Sequence, residues 1–305
     1  MMRRLLLFCL FWLVLRPAGA EDVIHLILSD NGAAYQEASD AFRAEIGSRA
    51  TIKVWVLPEL GAEQVQILSR STGLLTPVGV KAARFIAEHH IGQAPVLALM
   101  IPRAASEKLE WPSGLGRRKV SSIYIDQPPS RTLGLVEAAF PAARRVGLVI
   151  SPENTAVVKE LGKEAAQRNL KLTVDTINSA DDVAPALRRV LQDSDVLLLV
   201  PDAMAINAGN AQNVLMTTYR FRTPVIGFSQ GLSKAGAVAS VYSTPRQIGQ
   251  QGAQFALRLQ DTGELPPPQH ASEFSVGFNT HVARSLGLAL PNEAEIRRKL
   301  GARRE

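Results

Sequence analysis

Gly227-Phe228-Ser229-Gln230-Gly231 fits G-x-S-x-G, the strand-to-helix elbow on which some hydrolases expose a nucleophilic serine. That chemistry needs an acid and a histidine further along the chain, and Asp261, His270 and His281 are available. Asp261 and His270, however, flank Pro266-Pro267-Pro268, which is cramped for the acid-then-histidine loops of that fold. The Gly- and Ala-rich stretch after Ser229 runs into another strand pattern too soon for an elbow helix, and no His-Gly-Gly oxyanion loop lies upstream. A strand-to-loop turn facing a cleft accounts for the string better. A serine esterase using Ser229 is the alternative.

The five histidines, His25, His89, His90, His270 and His281, are scattered and form no H-E-x-x-H pair, so no metal site is expected. The run from Gly114 to Lys119 lacks the P-loop spacing and reads as an exposed turn. No cofactor is expected. Arg103 follows an apolar strand pattern directly, where a guanidinium can hold a carboxylate by two parallel bonds. Asn154 and Thr155 open a helix, where they can cap it and also turn free N–H groups toward an anion.

Apolar strand-like runs alternate with helical patterns throughout. Val23–Leu28 is followed by a helix over 34–46, with Tyr35, Ala38, Phe42 and Ile46 on one side. Strand patterns then fall at 51–57, 74–78, 95–101 and 121–125, the second weakened by Pro77. A second series starts with a helix over 132–140. Strands follow at 145–150, 171–177, 196–200, 224–228 and 237–242, with helices between the first four of them. Asp181 is the expected N-cap of the helix over 182–192. A helix over 244–259, a strand over 272–278 and a charged helix over 293–300 complete the chain.

Strands apolar on both faces, each followed by a helix, predict parallel sheets covered on both sides. Two such series predict an α/β chain of two doubly wound parallel-sheet lobes, with Asp126-Gln127-Pro128-Pro129 as the hinge between them. Ligands of open parallel sheets bind beyond the carboxyl ends of the strands.

The N-terminus has Arg3 and Arg4, an apolar run from Leu5 to Leu15, then Ala18-Gly19-Ala20. The run is too short for the roughly twenty residues that a bilayer requires. These are the three parts of a secretory signal peptide, with cleavage expected after Ala20. Cleavage would remove Cys9, the single cysteine, and leave neither a disulfide framework nor a cysteine metal site. Lys+Arg number 34 against Asp+Glu 28, a net charge of +6. Arg3, Arg4 and Arg16 leave with the leader, and the last residues hold most of the remaining excess. No nucleic-acid surface is expected, because basic residues are not clustered on the fold. The charged tail reads as a solvated helix end.

The second half resembles the extracytoplasmic substrate-binding proteins of ABC transporters, in the branch that includes tryptophan and tyrosine binders. The residues that carry the likeness are 144–155, 195–202, 224–236, 249–259 and 274–291, with a looser match at Ser29-Asp30, 79–83 and 95–101. The resemblance implies a type I periplasmic-binding-protein fold with three crossovers. It also implies that Ser229-Gln230 is a ligand-facing loop. Where the family has Ser-Asp-x-Gly, this chain has Ser229-Gln230-Gly231, and Gly79-Val80 and Ala203 also depart from the pattern.

The expected organisation is a signal peptide at 1–20, a first lobe of 21–127 plus 244–263, a second lobe of 128–243 plus 264–290, and a tail helix within 291–305. The expected function is periplasmic, non-enzymatic capture of a small molecule between the lobes by hinge closure. The protein would act as a monomer and deliver its ligand to a membrane ABC permease. Presentation of the bound state to a membrane sensor kinase is the other output. The residues expected at the cleft are Asp30, Asn31, Tyr35, Arg103, Asn154, Thr155, Asp202, Ser229, Gln230 and Tyr242. Asp202 is expected as an acceptor, Arg103 as an anion clamp, and Tyr35 and Tyr242 as walls.

Overall fold

A computed structural model describes residues 23–111 and 119–302. The expected leader at 1–20, with Cys9, lies outside them. The chain opens with β1 (Val23–Leu28), α1 (Ala33–Ile46), β2 (Thr51–Val56), α2 (Ala62–Ser69), β3 (Leu75–Val78), α3 (Val80–His89), β4 (Val96–Ile101), α4 (Arg103–Ser106) and β5 (Val120–Tyr124). A second series follows: α5 (Pro129–Ala139), β6 (Arg145–Ile150), α6 (Thr155–Gln167), β7 (Lys171–Thr176), α7 (Val183–Gln192), β8 (Val196–Leu198), α8 (Ala211–Arg220), β9 (Val225–Gly227), α9 (Gln230–Ala235) and β10 (Ala239–Tyr242). Then come α10 (Pro245–Thr262), β11 (Gln269–His270), β12 (Ser275–Phe278), α11 (Thr280–Ser285) and α12 (Glu293–Ala302).

Two sheets result, ordered β11-β5-β4-β3-β1-β2 and β12-β10-β9-β8-β6-β7. The first five strands of each series follow one doubly wound order, as the repeated strand–helix pattern predicts. The sixth strands differ: β11 pairs parallel with β5, whereas β12 pairs antiparallel with β10. The chain passes between lobes three times. It leaves β5 for α5, whose Leu133, Leu135 and Val136 are buried in the second core. It returns from β10 to α10, whose Ile248, Ala253 and Ala256 are buried in the first. It crosses again between β11 and β12, with Ala271 in the first core and Phe274 in the second. Residues 264–271 were expected on the second lobe, but β11 pairs with the first-lobe strand β5 and Leu265 lies in the first core.

Pro77 weakens the strand pattern without ending it. Leu75 N donates to Pro95 O at 2.9 Å and Gly79 N to Leu99 O at 2.8 Å, so the ladder lacks only the rung between them. Prolines normally keep to sheet edges, yet β3 is buried along its whole length between β1 and β4. The burial of its side chains outweighs one lost bond of about 1 kcal/mol.

The start of α10 is written in sequence. Thr244 caps it by accepting from Gln247 N while the Gln247 side chain accepts from Thr244 N, with Pro245 at the first helical position. Gly263, at φ +75°, ends it. Two expectations change. Ser179, not Asp181, caps the 3-10 turn that leads into α7, in a box with Asp182. The tail helix is not simply solvated, because Ile296 and Leu300, four residues apart on one face, are buried against α5.

Candidate functional site

The carboxyl ends of both sheets meet at the crossovers. There, Pro102, Arg103 and Asp126 of the first lobe face Val157, Glu160 and Phe228 of the second across a cavity of about 50 Å³. That space holds a water molecule or two, far less than the several hundred Å³ of a small-molecule pocket. The lobes touch across it. Arg103 Nη1 lies 2.8 Å from Glu160 Oε1 on α6, and Lys108 Nζ lies 3.7 Å from Glu153 Oε2. A larger space of about 770 Å³ lies beside Tyr124 and Pro266–Pro268, but the described residues that line it all belong to the first lobe.

Hydrogen bonds tie the crossovers to one another. Gln127 Nε2 donates to Ser243 Oγ at 2.9 Å, and Ser243 Oγ donates to Glu273 O at 2.7 Å. Arg131 Nη1 donates to Gln127 Oε1 and to Ala271 O, and its guanidinium stacks 4.5 Å over the Phe274 ring. Gln251 of α10 accepts from Ser272 N. All three crossings thus meet in one polar joint.

Of the residues expected at the cleft, Arg103 and Asn154 line the cavity. Arg103 is already engaged: Nε donates to Glu107 Oε1 at 2.7 Å, and Nη1 reaches Glu160. The Glu107 bond, opposed by burial and aided by the Glu160 charge, holds the guanidinium still more firmly protonated. As an anion clamp it is already partly filled from within. Asp202 is not a free acceptor. Oδ2 takes Ser151 N and Asn154 Nδ2, and Oδ1 takes Met204 N and Ala205 N, so the carboxylate organises its own lobe. Burial alone would raise its pKa, but these bonds hold it below the usual carboxylate range. Thr155 Oγ1 bonds Pro152 O.

Asp30, Asn31 and Tyr35 gather elsewhere, past the end of β1. Asp30 Oδ1 accepts from Gly32 N, and Asn31 Nδ2 donates to Glu59 Oε1. Tyr35 packs against Gly79, where φ is +91° and a Cβ would stand 2.8 Å from the phenol oxygen, so only glycine fits. Burial, with the Asp30 charge, pushes the Tyr35 hydroxyl pKa up. Tyr242 does not form a cavity wall. Its neighbour Val241 lines the cavity, and alternate strand residues face opposite ways.

Ser229 caps α9, its Oγ accepting from Leu232 N at 3.2 Å. His270 Nδ1 bonds Asp126 O at 3.0 Å, not Ser229. Gln230 is exposed on the first turn of α9. Sequence reading missed Asp126, Glu160, Phe228 and His270 as cavity residues. For Asp126 the signal was present, since it stands just beyond a strand's carboxyl end as Arg103 does.

Two doubly wound lobes of one strand order, crossed three times and facing each other over their strand ends, define a type I periplasmic-binding-protein fold. The model of one family, ABC transporter substrate binding protein, matches residues 60–297, and the chain belongs to that family. Similar solved structures include the ABC domain from Streptococcus pneumonia in complex with L-Trp, at TM-score 0.65 and 16% identity, covering 90% of this chain and 97% of that one. Another is the ligand-free, open substrate-binding protein with adhesive properties from Clostridium difficile, at TM-score 0.70 and 16% identity, covering 89% and 96%. A conserved domain protein from Vibrio cholerae aligns at TM-score 0.64 and 18% identity, covering 91% and 98%. At these identities the likeness is one of fold. No curated protein matches the sequence.

Proposed function

We propose that this chain is an extracytoplasmic solute-binding protein that captures a small molecule between its lobes and hands it to a membrane ABC permease. The observation that carries this reading is the cavity at the crossovers, lined from both lobes by apolar side chains and a few polar groups. At about 50 Å³ it admits no solute until the lobes part. The binding cycle is therefore opening about the joint of Gln127, Ser243 and Ala271, entry of ligand, and reclosure. A ligand that binds both lobes shifts the equilibrium only through its extra contacts in the closed form.

The resemblance and membership of the ABC transporter substrate-binding family support the transport output. A cleaved leader fits the same reading and is tested by N-terminal sequencing of protein exported from its host, which should begin at Glu21. X-ray scattering tests the cycle. Protein stripped of ligand by unfolding and refolding should expand, and an extract of host small molecules should compact it again. An unchanged radius in both states would sink hinge closure. Ester turnover that vanishes in Ser229→Ala would replace transport with hydrolysis.

A further inference from the structure

Three side chains that carry formal charge at neutral pH face the cavity: Arg103, Asp126 and Glu160. Only one of them is a cation, and two of its three guanidinium nitrogens are already taken. Nε of Arg103 lies 2.7 Å from Glu107 Oε1, and Nη1 lies 2.8 Å from Glu160 Oε1 and 2.9 Å from Glu160 Oε2. Glu160 therefore sits on Arg103 as the carboxylate of a ligand would. A carboxylate-bearing solute must displace Glu160 or share the guanidinium with it, and in either case lie beside it. Two like charges a few ångströms apart in a cleft of reduced dielectric repel strongly.

Asp126 adds a second carboxyl. Its Oδ1 accepts from Arg103 N at 2.8 Å. Its Oδ2 stands 3.7 Å from His270 Nδ1, too far for a hydrogen bond. The His270 ring instead bonds the Asp126 carbonyl oxygen. Asp126 is thus held in place through one oxygen and keeps acceptor capacity on the other. Burial pushes this carboxyl up from its usual range, against the pull of His270 and of Arg103 N. A cation arriving beside it would favour the ionised form. Apart from the polar Gln127, Thr132, Asn154 and His270, the remaining surface is apolar, with Pro102, Val157, Leu161, Val200, Phe228 and Val241 in the wall.

We propose that the cleft selects an apolar-bodied amine that carries no carboxylate. Asp126 accepts its ammonium, and the Arg103–Glu160 pair bars anions. The proposal rests on the solute-binding reading and names the chemical class of the solute. Glu160 acts through Arg103 as a specificity-determining residue: it sets a negative charge on the one guanidinium of the cavity that would otherwise recruit carboxylates.

The test is calorimetric titration of the full mature protein with two matched sets of probes. One set is tryptamine, L-tryptophan and indole-3-acetate; the other is phenethylamine, L-phenylalanine and phenylacetate. The amine of at least one set should bind at least tenfold more tightly than both of its carboxylate-bearing partners. Asp126→Asn should weaken the amine at least tenfold. Glu160→Gln should bring the carboxylates in by at least tenfold, and as a half-exposed helix position it serves if Asp126→Asn does not fold. Circular dichroism checks folding for both variants.

A carboxylate-bearing probe that binds wild-type protein as tightly as its amine overturns the proposal and leaves solute binding intact. Unchanged carboxylate affinity in Glu160→Gln overturns the barrier. Silence from all six probes also overturns the proposal. In that case, compaction by the host extract in the scattering experiment preserves the solute-binding reading, and its absence removes that as well.

Discussion

In the first lobe, α10 lies so close to α1 that a Cβ on Gly249 would stand 2.2 Å from the Ala38 carbonyl oxygen. His25 is buried in the same lobe, with Trp55 Nε1 donating to its Nδ1 at 3.0 Å. Ion pairs that do occur on α1 and α10, Arg43–Asp40 and Arg246–Glu37, are exposed. The second lobe has the same strand order and a different chemistry. Asp195 accepts from Arg144 N and Arg145 N and pairs with the Arg145 guanidinium at 2.7 Å. Arg168, nearly buried, joins Glu137 of α5 to Glu164 of α6. Asp202 gathers four donors. Apolar cores fill both lobes; the first adds a close helix–helix approach, and the second adds carboxylates satisfied by several donors. The two lobes should fail under different insults.

The largest effect should follow Asp202→Ala. It leaves buried donors at Ser151, Asn154 and Ala205 without an acceptor and should cost about 3 kcal/mol. Hydrogen exchange followed by mass spectrometry should show protection lost around 151–154 and 203–206, with the first lobe unchanged. Loss spread evenly over both lobes would break the contrast.

Gly249→Ala is the counterpart in the first lobe. The added methyl must push α10 off α1, at about 2 kcal/mol. Urea unfolding should shift, and exchange should rise in α1 and α10 but not in β6 or β7.

Acid sharpens the comparison further. Burial, with the Lys53 charge, pushes the His25 pKa down to about 4 from 6.5. The folded state resists a proton that the unfolded chain accepts, so this stability is full above about pH 6.5 and is lost as pH falls toward 4. Discounted by half for solvent screening, the loss is about 1.5 kcal/mol. Asp195 and Asp202 of the second lobe have lowered pKa values. Their contribution stays until pH falls below the unfolded carboxylate value of about 3.9. In protein without residues 1–20, which contain Trp12, the tryptophans are Trp55 and Trp111 of the first lobe, so tryptophan fluorescence under urea at pH 7 and 4.5 reads that lobe selectively. The pH difference should vanish in His25→Leu. If it persists, His25 is not its source.

The smallest effect is Ser179→Ala in the second lobe. It removes one half of the capping box before α7 and should cost about 1 kcal/mol, seen as a small drop in Tm.

Most strands were legible because they are continuous apolar runs: β4, buried at all six positions, is the clearest. Four short elements were not: α4, α9, β11 and α11. β11 has two residues after three prolines and no periodicity to read, and its pairing with β5 is purely tertiary. α9 is written in Gly, Ser, Lys and Ala, and its start at Ser229 shows only in the cap bond. At the site, Arg103 and Asn154 were legible from their place just past strand ends. Glu160 was not, because an acid inside an amphipathic helix looks solvated until the other lobe's arginine meets it. Asp202 was legible as important but not in its role, since its four donors come from loops that sequence alone does not fold together.

The sixth strands have a consequence for biogenesis. β11 and β12 lie within ten residues of one another near the end of the chain, and each completes a different sheet. Neither lobe can close its edge while the polypeptide is still emerging, and α10, which seals the first core, also arrives late. A ribosome that stops before Gln269 therefore releases two open edges rather than one finished lobe and one unfinished one. Open edges are templates for aggregation. Completion of both halves is made conditional on the same short stretch of translation, which favours a chain kept unfolded until it is whole.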